Sequence, residues 1–150
     1  MIISNRSRLI GCAIVLAAHA MLVGSPQLRA DDTPEEHPID RTLRVAIDAE
    51  PSTMGMVQAL SAANEAWDKE MNQVYQRLKQ KMQPSEWEAM VNAQRAWINY
   101  RDAQITALQR FYGNMEGTMW RPVATESIMQ LTRDRARFLL DLESMLEEGD

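Results

Sequence analysis

Between Thr53 and Met82 the residues Val57, Leu60, Asn64, Trp67, Met71, Val74 and Leu78 recur at alternating steps of three and four, all but one of them apolar. That spacing lines one face of an α-helix and does not fit the alternation of a strand. Ser52 or Thr53 supplies the cap, and the helix is predicted to run to about Met82. Pro84 suits the first turn of a second long helix, with Gln83 as a poor cap and Glu86 behind it. Its broad stripe is Trp87, Met90, Val91, Gln94, Trp97, Ile98, Arg101, Ile105, Leu108 and Phe111. Residues Gly113 to Arg121 read as a loop opened by Gly113 and Gly117. Pro122 then restarts a helix whose predicted inner face is Ala124, Ile128, Leu131, Arg135, Phe138, Leu142 and Met145. Upstream, Asp40 is the expected N-cap of a short helix through Glu50, stopped by Pro51. Short connections make neighbouring long helices antiparallel. The predicted fold is all-α: a small antiparallel bundle of one short helix and three long ones, spanning residues 39–147.

Each buried Leu, Phe or Met side chain contributes roughly 1.5–3 kcal/mol, so three such stripes can hold a bundle together without covalent help. The informative positions are the polar ones on the stripes: Asn64, Gln94, Arg101 and Arg135. A buried guanidinium without a partner is costly, so each arginine is expected to meet a carboxylate or carbonyl oxygens. Such residues either fix helix register as a structural network or line a groove open to a ligand.

The first thirty residues read differently. Arg6 and Arg8 precede an apolar run from Leu9 to Gly24 broken only by His19, and Leu28-Arg29-Ala30 leads into Asp31-Asp32. A basic start, an apolar stretch and a small residue before an acidic end describe a signal peptide, cleaved after Ala30. As a membrane anchor the run is short of the ~20 residues a spanning helix needs. Leu9-Ile10-Gly11-Cys12 resembles a lipoprotein acylation box, but most of the apolar stretch follows Cys12 rather than preceding it. Residues 31–38 read as a flexible tail. Removing Arg6, Arg8 and Arg29 from sixteen bases leaves thirteen against 21 acids, a formal charge of −8. Cys12 leaves with the leader, so the processed chain has no cysteine. An acidic surface repels nucleic acid and anionic lipid and favours cationic partners, so no nucleic acid and, after cleavage, no membrane is expected as a partner.

Catalytic constellations are scarce. Only His37 remains after cleavage, so a Ser-His-acid or Cys-His centre is excluded. No His-Glu-x-x-His helix or cysteine cluster offers a zinc site, and four scattered glycines build no phosphate loop. A two-carboxylate hydrolase is open to the chemistry, yet nothing selects a pair. Met54, Met56, Met115 and Met119 raise a Cu(I) reading, but helical spacing makes most methionines core filler and no His-Met cluster backs it. The expectation is a non-enzymatic protein with no cofactor and no metal.

Three motifs carry a family resemblance. Trp67-Asp68-Lys69-Glu70-Met71-Asn72-Gln73-Val74-Tyr75-Gln76-Arg77-Leu78 resembles the first signature of the lysozyme-inhibitor LprI-like family. Ala93-Gln94-Arg95-Ala96-Trp97-Ile98-Asn99-Tyr100-Arg101-Asp102-Ala103 is the more specific second one. Leu131-Thr132-Arg133-Asp134-Arg135-Ala136 resembles the closing helix. With His37-Pro38-Ile39-Asp40 the likeness covers residues 37 to 142. It implies a secreted, periplasmic or cell-envelope helical protein whose named relatives inhibit lysozyme. It also implies paired cysteines, one just after the Arg-Asp motif, where this chain has Gln104-Ile105.

Two functional classes follow. One is a binder of lysozyme or another cationic peptidoglycan-cleaving enzyme of the envelope. The other is an envelope interaction module with a different partner, such as a chaperone or assembly factor. For the first, the expected contact is the loop bearing Glu116, Met119, Trp120 and Arg121, because Trp and Arg are enriched at interface hot spots. The bland alternative is that Trp120 caps the bundle end and Arg121 is solvated. Asn72, Gln94, Trp97, Arg101, Asp102, Thr132 and Arg135 are expected to form a polar core that supports the scaffold.

Overall fold

The computed structural model describes residues 35–148; the expected leader and residues 31–34 of the expected tail lie outside them. The described residues form four helices and no strand: α1 (Pro38–Ala49), α2 (Thr53–Lys81), α3 (Pro84–Gly113) and α4 (Trp120–Glu148). This is the all-α bundle of one short and three long helices that the periodicity predicts.

The helix ends follow local chemistry. Ser52 caps α2, its hydroxyl accepting from the Gly55 amide at 3.1 Å. At the start of α3, the Glu86 carboxylate accepts from the Gln83 amide at 2.9 Å, half of a capping box. The cap of α1 is His37, not Asp40: its Nδ1 accepts from the Ile39 amide at 3.3 Å, and Pro38 takes the first helical position. Asp40 is released for another task, facing Arg133 and Arg137 of α4. Gly55 is required by close approach, because a Cβ there would overlap both the side chain and the carbonyl of Glu50.

Contacts along the chain fix the directions. Arg77 and Lys81 of α2 meet Glu143 and Glu147 of α4, so these two helices run parallel. Met71 and Tyr75 of α2 meet Gln94 and Trp87 of α3, so α3 runs antiparallel to both. Leu60, Ala63, Trp67, Met71, Val74 and Leu78 form the α2 side of the core, with Met129, Ala136 and Leu139 from α4. Trp67, Val74, Leu78 and Leu139 have no exposed surface. Steps of three and four on both helices suit shallow-angle packing.

Two features of the predicted core differ. The buried face of α4 is Met129, Thr132, Ala136, Leu139 and Glu143, about one residue around the helix from the expected stripe. Phe138 and Met145, expected inside, are 48% and 65% exposed. The polar Thr132 and Glu143 occupy seam positions and so hide the true face from a hydropathy pattern. Within α3 only Gln94 is fully buried, while Trp87, Met90 and Trp97 pack partly buried against the seam. Its stripe covers the α2–α4 pair rather than forming a third equal layer.

Candidate functional site

The expected polar core divides when its members are placed. Gln94 and Thr132 are buried, and Arg135 is partly buried. The Arg135 Nε donates to Gln94 Oε1 at 2.9 Å, and the Gln94 amide nitrogen in turn reaches the Met71 sulfur at 3.8 Å. The guanidinium lies over Phe138 at 5.2 Å and Trp97 at 5.9 Å from the ring centroids. Arg135 thus meets a carbonyl oxygen, one of the two kinds of partner expected for it, together with two aromatic faces. Burial pushes its pKa below the ordinary arginine value.

Arg101 meets the other expected kind of partner, carboxylates. Its Nη2 donates to Asp102 at 2.9 Å, its Nη1 lies 3.7 Å from Asp68, and the guanidinium sits 5.1 Å from the Trp97 centroid. Asn72 and Asp102, by contrast, are exposed and do not belong to a core. Asn72 only folds back on its own helix, donating to the Asp68 carbonyl at 2.8 Å.

Around Arg101 the three long helices leave a cleft of about 330 Å³ lined by Asn64, Glu65, Asp68, Arg101, Ile105, Ile128 and Thr132. The Asn64 Oδ1 atom is itself buried and has no hydrogen-bond partner. Arg101 and Thr132 come from two separate sequence motifs, and the topology brings them to one wall.

The expected binding loop is shorter than the sequence implied. The Arg121 amide donates to the Thr118 carbonyl at 3.2 Å, so Trp120 and Arg121 belong to the first turn of α4. Pro122 is tolerated there because first-turn amides have no helical acceptor. Gly117 makes the turn with φ +91, a conformation that favours glycine. Trp120 is partly buried and stacks on Tyr112 with centroids 6.3 Å apart. Met119, Glu116 and Arg121 are exposed beside a groove that Trp120 and Arg121 line with Tyr112, Val57 and Ile128.

Two charged centres gave no sequence signal. Glu143 is buried between α2 and α4 and accepts from Arg77 Nε at 2.9 Å and Lys81 Nζ at 3.1 Å. The Arg77 hydrogen bonds chiefly hold its carboxyl below the ordinary value, against the opposite push of burial, and Lys81 adds to the depression. Asp40 ties α1 to α4 through Arg137 and, at 3.8 Å, Arg133. Trp67 is in contact with the same group, with the His37 ring 4.3 Å away and the Arg137 guanidinium 5.7 Å from its ring centroid. Only the long-range pairing of Arg77 with Glu143, 66 positions apart, reveals the first centre. Among the described residues no group of His, Cys, Asp and Glu side chains is arranged to hold a metal ion, and no helix is long and apolar enough to cross a membrane.

Residues 46–139 match the family described as Lysozyme inhibitor LprI. No curated protein matches the chain. A crystal structure of an uncharacterized protein from Burkholderia thailandensis is similar in fold, with a TM-score of 0.72 at 24% identity. The likeness covers 77% of this chain and 58% of that one, so the chain spans little more than half the length of its structural relative.

Proposed function

Because the chain belongs to the lysozyme inhibitor LprI family, we propose that it is an exported, non-enzymatic protein that binds and inhibits a peptidoglycan-cleaving enzyme. The family match over residues 46–139 carries this reading. Physical chemistry supports it from a second side. The chain beyond Ala30 has a formal charge of −8, and opposite charge on the target speeds encounter and favours cationic partners. An inhibitor of this kind needs surface complementarity and no catalytic group.

In this reading the contact surface is the end of the bundle that carries Glu116, Met119, Trp120 and Arg121. Trp120 is held by Tyr112, which limits the entropy lost when a partner covers it, while Met119 projects 62% exposed beside it. Aromatic and arginine anchors of this type dominate binding energies elsewhere.

A turbidity assay on a bacterial cell-wall suspension tests the proposal. Wild-type protein slows clearing by a cationic lysozyme. A Trp120→Ala/Arg121→Ala variant, with an unchanged helical circular dichroism spectrum, loses most of that effect. If wild-type protein leaves clearing unchanged and a different envelope protein is captured from extract, the chain is an interaction module with another partner.

A further inference from the structure

We propose that Met119 is an oxidation site, and that converting its thioether to a sulfoxide with a peroxide weakens the hold of the Trp120 end on its partner. The methionines divide sharply by exposure. Met71 and Met129 are buried in the seam, whereas Met54, Met119 and Met145 are 60%, 62% and 65% exposed. Helices α2 and α4 run parallel, so the first turn of α2 and the turn before α4 share one end of the bundle. Met54 and Met119 therefore lie at the Trp120 end, and Met145 lies at the opposite one. The fold gives Met119 no packing role, since it is exposed in a turn and stands outside the core cluster.

A thioether has no proton to lose, so its reaction with a peroxide is governed by access to the sulfur lone pair. The lone pair attacks one peroxide oxygen and the O–O bond breaks. The departing hydroxide takes the proton of the transferred oxygen and leaves as water. Sulfur loses two electrons and gains one oxygen, and the peroxide is reduced. A thiolate would compete for the oxidant, but beyond Ala30 the chain has no cysteine. The exposed thioethers are thus its accessible sulfur.

The product is polar and chiral where the thioether was apolar and pliable, a change that disrupts methionine-bearing interfaces. At position 119 the sulfoxide oxygen meets the partner beside Trp120, and a polar group covered without a hydrogen bond is costly. The core stays intact because the oxidant does not reach Met71 or Met129. Sulfoxide reductases restore the thioether, so the change is reversible. The effect on binding rests on the proposed function; the selectivity of oxidation rests on exposure alone.

The test treats the folded chain with hydrogen peroxide, removes the peroxide, and reads peptide mass spectra and binding to a cationic lysozyme. One added oxygen is expected on each of Met54, Met119 and Met145, with Met71 and Met129 unchanged and the helical circular dichroism spectrum retained. Binding by the oxidised wild type falls about tenfold or more against its own unoxidised form. Compared in the same way, the loss shrinks in Met119→Leu and persists in full in Met145→Leu. Methionine sulfoxide reductases acting on both epimers reverse it. An unmodified Met119, oxidation of Met71 or Met129 at the same rate, undiminished binding after oxidation, or an equal loss in Met119→Leu overturns the proposal. Lysozyme bound equally well before and after oxidation sinks this inference and leaves the proposed function standing. Lysozyme that fails to bind even before oxidation sinks the inhibitor reading and the binding effect with it, while the mass spectra decide the oxidation site by themselves.

Discussion

Glu143 is a carboxylate in a seam made almost wholly of Leu, Met, Ala, Val and Trp side chains with Thr132, and its environment makes it a stabilising rather than a disruptive residue. Arg77 and Lys81 reach it from α2 while remaining partly solvated themselves, so the ion centre avoids the full desolvation cost of a buried pair. Because the native carboxyl titrates below its ordinary value of 4.5, the unfolded chain binds a proton before the folded one does. The resulting stability is fully present above that ordinary value and is lost as pH falls through the native one. Thermal melts between about pH 6 and pH 3 should show the melting temperature dropping on acidification, with a shallower drop in Glu143→Gln. An equal acid dependence in the two proteins would show that Glu143 does not contribute. Residues of this kind escape a sequence reading because their partners are far along the chain. Asp40 escapes for the same reason: adjacency made it a cap, whereas the fold uses it to bind α4 and leaves capping to His37.

At the scale of elements, α2 was the most legible part of the molecule. Its inner face carries Leu60, Trp67, Met71, Val74 and Leu78 without a charged interruption, and the structure buries all five. The face of α4 was misplaced because hydropathy favoured Phe138 and Met145 over Thr132 and Glu143, and only the packing against α2 decides between those faces. Helix α3 was legible as a helix but not as a peripheral one. Its one buried residue is an amide, Gln94, which couples it to α4 through Arg135. That coupling makes a double-mutant cycle informative. Removing Arg135 leaves the buried Gln94 amide oxygen unsatisfied, at a cost of about 1–3 kcal/mol, and removing Gln94 takes the acceptor from the partly buried guanidinium. Replacing both, as Gln94→Leu/Arg135→Met, should restore most of that loss, since apolar residues of similar shape often match a buried polar pair. Chemical denaturation of the four proteins measures the coupling energy, and strictly additive losses would show that the two side chains act independently. The Trp120 turn illustrates a smaller lesson. Pro122 marks a helix start within a few residues, and the Thr118 carbonyl draws Trp120 and Arg121 into that helix.

For the whole molecule, family, fold class and acidic charge were all accessible before the structure, while the cleft was not. Arg101 and Thr132 were singled out from separate motifs, but Asn64, Glu65 and Asp68 join them only through the antiparallel placement of α3 across α2 and α4. Where the family resemblance implies a cysteine, Gln104 and Ile105 are half-buried, and Ile105 instead forms part of the cleft wall. Charge then ties these features to function. A net-acidic bundle binding a cationic enzyme gains its association rate from long-range attraction, which salt screens over a Debye length of roughly 8–10 Å at physiological ionic strength. The decisive measurement is the association of the chain with a cationic lysozyme, followed by surface-immobilised binding across about 50 to 500 mM salt. Saturable binding with an association rate that falls steadily as salt rises is the predicted result. No saturable binding at the lowest salt would contradict the assignment of a peptidoglycan-cleaving enzyme as the partner.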